Sequence, residues 1–320
     1  MFDYKGLTDQ ELRSLCSNSD IPYYDRISSL PFWTTELYGF GKWLRKYAFY
    51  PKRFPIFLYS DHSGPSFTNE VFEYDLNFRH AYAMLFHTPE VVAKWNKAYT
   101  PKAYTLFSPF VFCRRNSNIK VSPQAKGTLA YPSHTLPDID DFSDVEKYIA
   151  DLKALPPQYH PIAVSLHYHD INKGRHNIFI KHGLPVYTAG TPYDYRFADR
   201  YYSILRNFKY ATSNFIGSYI FYSVEMGIPF FFYGDGPEYK TTSVNNQSSF
   251  NIKEINKAHN SSEYIYSLFS GVRDTITDEQ RKFVLHQLGI NEGIGRIKLS
   301  ALMYMALFRQ FINTRIKRKK

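Results

Sequence analysis

At 320 residues and 44% hydrophobic content, the chain is long enough for two ordinary domains and apolar enough to give each a core, which excludes a disordered protein. A net charge of +10 points to an anionic partner: nucleic acid, anionic lipid, or a substrate carrying phosphate or carboxylate. Cys16 and Cys113 stand far apart in no metal-ligand spacing, which argues against a disulfide scaffold or a zinc site and fits core packing in a reducing compartment.

No apolar leader follows Met1, and no run reaches the roughly 18 apolar residues of a membrane span, so the expected location is cytoplasmic. Aromatic content is 18%, with 28 Tyr and 27 Phe. That is what a sugar-stacking surface needs, and also what a compositional bias toward Tyr, Phe, Asn, Ile and Lys produces.

In chain order, Thr8-Asp9-Gln10-Glu11 has the spacing of a capping box before a short helix. Trp33 to Tyr47 carries an aromatic, basic amphipathic pattern that predicts a helix. Lys42, Arg45, Lys46, Lys52 and Arg53 read as a solvated basic face, with a phosphate- or lipid-facing role as the other reading. Phe54 to Ser60 predicts a buried strand ending in Asp61-His62-Ser63-Gly64. Strand tips collect catalytic side chains, so Asp61 and His62 are the candidate bases. His80 to Phe86 reads as a strand, Pro89 to Tyr99 as a helix, and Tyr104 to Cys113 as the last strand of a first domain, 1–122.

A second domain, 123–275, opens with the strand GTLAY and its exit Pro132-Ser133-His134. The acidic run Asp138 to Glu146 suits the N-terminus of the helix that follows. Ile162 to Leu166 is the next strand, leaving through His167-Tyr168-His169-Asp170. Two histidines at i, i+2 with a nearby acid admit a metal site, a phosphate or acceptor contact, or a structural role, and no further metal-ligand spacing accompanies them. Pro185 to Gly190 is a third strand with its exit at Thr191, and Arg196 to Phe208 a helix. This βα step, with a period of roughly 25 residues, predicts a doubly wound parallel sheet.

The stretch 210–235 completes it. Tyr210 to Thr212 reads as a strand end, and Ser213, Asn214, Gly217 and Ser218 as a turn of small residues that leaves N–H groups at a helix start for phosphate. Gly227 and Pro229 stop the helix before the strand Phe230 to Tyr233. After Pro237 the chain reads as a polar loop, then helix over 252–271. A last segment, 276–320, reads as helices, with Phe283 to Leu288 amphipathic and Ile297 to Ile316 ending in Arg315-Ile316-Lys317-Arg318-Lys319-Lys320. A basic amphipathic terminus fits a peripheral anchor on an anionic membrane surface; a frayed terminal helix fits equally.

The spacing Gly217-Ser218, eight residues, then Gly227-Ile228-Pro229 and an apolar strand resembles the donor half of GT-B glycosyltransferases and of related polyol-phosphate transferases of bacterial wall polymers. The resemblance is close over about 25 residues and loose from about 125 to 236. It implies an α/β fold of two Rossmann-like domains facing a cleft, with a C-terminal helix returning toward the first domain. The implied activity is transfer of a sugar from a nucleotide-sugar donor to a glycan or lipid-linked acceptor in surface polysaccharide synthesis. That chemistry requires neither metal nor other cofactor where helix termini meet the phosphate charge.

Donor contacts are then expected from Ser133, His134, His167, His169, Thr191, Ser213, Asn214, Gly217 and Ser218. Several of these families hold the donor ribose with an acid near Tyr222; the available acid, Glu225, lies three residues later. The His-Pro motif usual in Kdo and sialic acid transferases, which use cytidine donors, is not carried over, because His160-Pro161 precedes its strand. The other classes are a nucleic-acid-binding protein, for which the chain shows no recognition motif, and a sugar-nucleotide epimerase or noncatalytic sensor of the same fold.

Overall fold

The structure is a computed structural model describing residues 2–21, 24–60, 69–241 and 262–317. The chain forms two compact units, each assembled from three sequence segments. One comprises Asn18–Asn118, Pro192–Ala198 and Phe283–Lys320; the other comprises Met1–Ser17, Ile119–Thr191 and Asp199–Lys282. Both sheets that carry the cores are parallel, so the chain is mixed α/β.

The first unit holds three short parallel strands in the order β1 (Tyr59–Ser60), β2 (Met84–Phe86) and β3 (Ala103–Thr105). The strand expected over 54–60 is shorter because only its last two residues enter the ladder. Ahead of them Pro55 has no N–H to give, and Phe57 contributes a carbonyl to Tyr82 N at 3.0 Å. The strand expected over 104–113 is also corrected. It divides into β3 and a helix, Pro109–Asn116, in which Pro109 to Cys113 are all buried. Proline suits a first helical turn, where its missing N–H has no partner to lose. An apolar run buried on every side carries no period to separate strand from helix.

Trp33 to Tyr47 is interrupted. A 3-10 helix, Trp33–Gly39, meets the helix Phe40–Tyr47 across Leu37 and Tyr38, whose backbone is not helical. The C-terminal helix Arg296–Lys317 sends Leu299, Leu302, Met303 and Ala306 into a core with Leu44, Ala48, Leu85 and Leu106. Arg45 is not part of a solvated basic face. It is buried and ion-paired with Glu36.

The second unit holds five parallel strands in the order β7-β6-β4-β8-β9, with β4 (Thr128–Tyr131), β6 (Ile162–Ser165), β7 (Val186–Tyr187), β8 (Tyr210–Ser213) and β9 (Phe230–Phe232). Numbered within the sheet, the order is 3-2-1-4-5, so the winding reverses at the β4–β8 pair. Leu129, Ala130, Val164, Ala211 and Phe231 are fully buried, as strands covered on both faces require. Between β8 and β9 runs the helix Tyr219–Met226, closed by Gly227 in the left-handed region at φ 95°.

The capping box at Thr8 forms, with Thr8 N donating to Glu11 Oε2 at 2.8 Å. It starts the helix Asp9–Cys16, which places Leu12 and Cys16 in the core beside Val164 and Val186. The polar loop expected after Pro237 begins instead with a strand, β10 (Tyr239–Thr241), paired antiparallel with β5 (Ile139–Asp141). Residues 242–261 lie outside the described residues, and of the helix expected over 252–271 the described part is Glu263–Leu268. No described helix is long and apolar enough to cross a membrane.

Candidate functional site

In an open parallel sheet, the crevice beyond the carboxyl ends of the strands at the winding reversal is where ligands bind. Here that point is the exit of β4, Pro132-Ser133-His134, beside the exit of β8, Ser213-Asn214. Asn214 fastens three strand exits together: its Oδ1 accepts from Ser133 N at 2.9 Å, and its Nδ2 donates to Asp235 O, beyond β9, at 2.9 Å.

Ser213 is equally occupied. Its Oγ donates to Tyr131 O at 2.6 Å and lies 2.8 Å from the Tyr219 hydroxyl, which donates to Phe215 O at 2.6 Å. The Tyr219 ring stacks on Tyr131 at 4.8 Å, nearly parallel. It also passes so close to Gly217 that a Cβ there would lie 2.3 Å from Cε1. Ser213 and Asn214 therefore hold the corner in shape with side chains already spent on protein partners. What the turn offers outward is backbone. The N–H groups of Gly217, Ser218 and Tyr219 have no acceptor among the described residues, and the Ser218 side chain makes no capping bond. Both Gly217 and Ser218 are half-buried.

A second polar group, beneath the exits of β4 and β6, is larger. Asp170, fully buried, accepts on Oδ1 from Thr135 N and Thr135 Oγ1, each at 3.0 Å, and from Arg175 Nη1 at 2.8 Å. Arg175 also donates to Ser133 O at 3.1 Å and to Asp141 Oδ2 at 3.2 Å. Asp141 takes Ser133 Oγ at 2.7 Å on the same oxygen, and Ser143 N and Glu238 N on the other. One guanidinium thus faces two buried carboxyl groups, and Asp170 Oδ2, itself buried, has no hydrogen-bond partner among the described residues. Burial works against ionisation of Asp141, but the donors from Ser143 and Ser133 and the charge of Arg175 outweigh it and hold its pKa below the ordinary carboxylate value.

The histidines gather above this group. His134, exposed, stacks on His167 at 4.4 Å, and His167 lies 5.0 Å from His169. His134 Nδ1 is 3.0 Å from Thr135 O, which fixes the proton on that nitrogen and leaves Nε2 with its lone pair when the ring is neutral. Burial first, then the positive charge of His134 and Lys173, pushes His169 down to about 4, so at neutral pH it is an uncharged ring. Tyr239, brought in by β10, donates to His134 O at 3.1 Å, and burial followed by the nearby Asp141 and Asp170 keeps its phenol protonated. Among the described residues, no three His, Cys, Asp or Glu side chains are arranged to hold a metal.

Ser133, His134, His167, His169, Ser213, Asn214, Gly217 and Ser218 are thus gathered at one sheet edge. Thr191 sits apart: it follows β7, is fully buried, and donates its N–H to Leu15 O at 2.9 Å. Glu225 is also apart. It lies in the last turn of its helix, about 10 Å along the axis from Ser218. Asp61 and His62 lie outside the described residues. Asp141, Arg175 and Tyr239 are additions that the sequence did not single out for the site, and Asp170 entered it only as the acid beside the two histidines. Asp170 had a visible signal, standing directly after the two histidines, whereas Arg175 and Tyr239 meet it only through the tertiary fold. Neither family models, nor curated proteins, nor solved structures give a match to this chain.

Proposed function

We propose that the chain is a glycosyltransferase of the two-lobed GT-B kind, working in the cytoplasm in bacterial surface polysaccharide synthesis. The five-strand unit takes the nucleotide-sugar and the other unit presents the glycan or lipid-linked acceptor. The observation that carries this is the reversal of strand order at β4–β8, with His134 at one exit and, near the other, the N–H groups of residues 217–219, which have no acceptor among the described residues.

In the transfer, the acceptor oxygen attacks the anomeric carbon. The bond from that carbon to the phosphate oxygen breaks, and the nucleotide phosphate leaves with the electron pair. The acceptor proton goes to a base, for which Asp61 or His62 is proposed. Charge gathers on the leaving phosphate, where the N–H groups of residues 217–219 at a helix N-terminus would meet it. Ser133, Ser213 and Asn214 act by positioning that corner, since their polar atoms are bonded within the protein. His134 and His167 face the nucleotide or sugar, while the resemblance expects a ribose-holding acid near Tyr222 and the available acid, Glu225, lies three residues later and apart from the exits.

Calorimetric titration with UDP, GDP, CMP, CDP and dTDP tests the donor site. One of them should bind, and Ser218→Trp should weaken it at least tenfold; unchanged affinity in that variant would remove phosphate from the turn. Asp61→Ala and His62→Ala should each leave donor affinity intact while one of them abolishes transfer. Full activity in both would dispose of the proposed base.

A further inference from the structure

The helix Arg296–Lys317 has two apolar faces, and the protein covers one. Leu299, Leu302, Met303 and Ala306 point into the core. On the far side Ile297 is 86% exposed, Phe308 65%, Phe311 52%, Met305 47%, Tyr304 43% and Ile312 40%. At 3.6 residues per turn these six fall within an arc of about 120°, and they run for about 22 Å along the helix.

Cations border this stripe. The Arg296 guanidinium lies over the rings of Tyr47, Phe49 and Phe112 at 5.1 to 5.4 Å, Lys298 over Tyr104 at 4.9 Å, and Arg309 over Tyr82 at 5.8 Å. Phe49, 71% exposed under Arg296, adds to the apolar surface. From Gly293 to Lys320 the sequence holds eight Lys and Arg and no Asp or Glu, against a net charge of +10 for the whole chain.

We infer that this helix is an interfacial anchor that lies in the headgroup layer of an anionic membrane, with Phe308, Phe311 and Ile297 in the acyl boundary and the basic residues on the lipid phosphates. Amphipathic helices of this composition bind in the membrane plane, each Lys or Arg near the surface contributing roughly fivefold to partitioning. The charge decides against a second copy of the chain. Face-to-face pairing would bring together two helices of five cations each with no acid on either, whereas an anionic bilayer supplies both apolar depth and counter-charge. The stripe belongs to the three-strand unit and is independent of any ligand at the five-strand sheet.

Co-sedimentation of the full chain with vesicles tests this. Binding to vesicles of phosphatidylcholine mixed with an equal part of phosphatidylglycerol should exceed binding to phosphatidylcholine alone at least tenfold. It should fall as NaCl rises from about 0.1 M to about 1 M, where the screening length drops from roughly 10 Å to 3 Å. Phe308→Ser with Phe311→Ser should lower binding at least tenfold while the melting temperature and far-ultraviolet spectrum stay unchanged. Lys298→Glu with Arg309→Glu gives the same readout through charge. Equal binding to both vesicle types would overturn the anchor, as would binding indifferent to the Phe pair. So would light scattering that shows a dimer broken by the Phe pair, with no vesicle binding.

Discussion

Each unit sets an arginine against carboxyl groups removed from solvent, and the two are handled differently. In the three-strand unit Arg45 meets Glu36 alone, two nitrogens to two oxygens, with Arg45 Nε turned to Phe54 O at 3.0 Å. Gly41 makes room for the pair, since a Cβ there would lie 1.9 Å from Glu36 Oε2. The charges match and the carboxylate is complete. In the five-strand unit Arg175 is shared between Asp170 and Asp141, which are 0% and 1% exposed, and one oxygen of Asp170 has no described partner. A matched pair serves the fold and nothing further. An arginine shared between two carboxyl groups leaves one oxygen, Asp170 Oδ2, without a described partner near the sheet edge where His134 and His167 stack.

The largest effect should come from removing these arginines. Arg45→Met and Arg175→Met should each lower unfolding free energy in urea by about 3–5 kcal/mol, because each strands a buried carboxylate. The pairs then separate the two designs. Arg45→Met with Glu36→Leu should recover most of the loss, while Arg175→Met with Asp170→Asn should recover less, because Asp141 stays buried without its ion pair and keeps only Ser133, Ser143 and Glu238 as donors. Equal recovery in both would erase the distinction.

Next in size is Gly217→Ala, expected to cost about 1–3 kcal/mol because the added methyl displaces the Tyr219 ring. An unchanged urea midpoint would show that the ring is free to move.

The effects of pH have opposite signs in the two units. His169 is held near 4 in the folded protein and titrates near 6.5 when unfolded. Between about pH 6.5 and 4 the unfolded chain therefore binds the extra proton, and stability falls as pH falls; His169→Gln should flatten that limb. In the three-strand unit, burial opposes the charge of His286, yet its hydrogen bonds to Glu292 and Glu90 raise its pKa above the ordinary value. Its contribution is complete below about pH 6.5 and is lost as pH rises through the raised value. Its exposure keeps this under about 1 kcal/mol. His286→Gln should remove only that alkaline-side loss in a set of melts across pH.

The five parallel strands were legible because Thr128 to Tyr131, Ile162 to Ser165 and Tyr210 to Ser213 are continuous short apolar runs between Gly, Pro and polar exits, with helices of ordinary length between them. Their exits followed from the same pattern, so Ser133, His134, His167 and His169 could be named from position alone. Where every residue of a run is buried, as at Phe110 to Cys113, hydropathy has no period, and strand and helix look alike. The buried ions were illegible for another reason. Asp141 stands in an acidic run whose Asp144 does cap a helix, with its side chain accepting from Lys147 N at 2.9 Å. Nothing in the local sequence separates the acid that caps from the acid that turns inward to an arginine 34 residues on.

The interleaving of the units bears on how the protein is made. Residues 1–17 are translated ahead of 119–191 yet supply Leu12 and Cys16 to a core that also needs Val164 and Val186. Leu44 and Leu85 wait for Leu299 and Met303, which are translated long after them. Domains ordinarily fold in turn as the ribosome delivers them. Here neither core closes on a contiguous stretch, so a nascent chain stopped before residue 283 holds one hydrophobic core still open, and fragments cut at any single position will divide at least one unit.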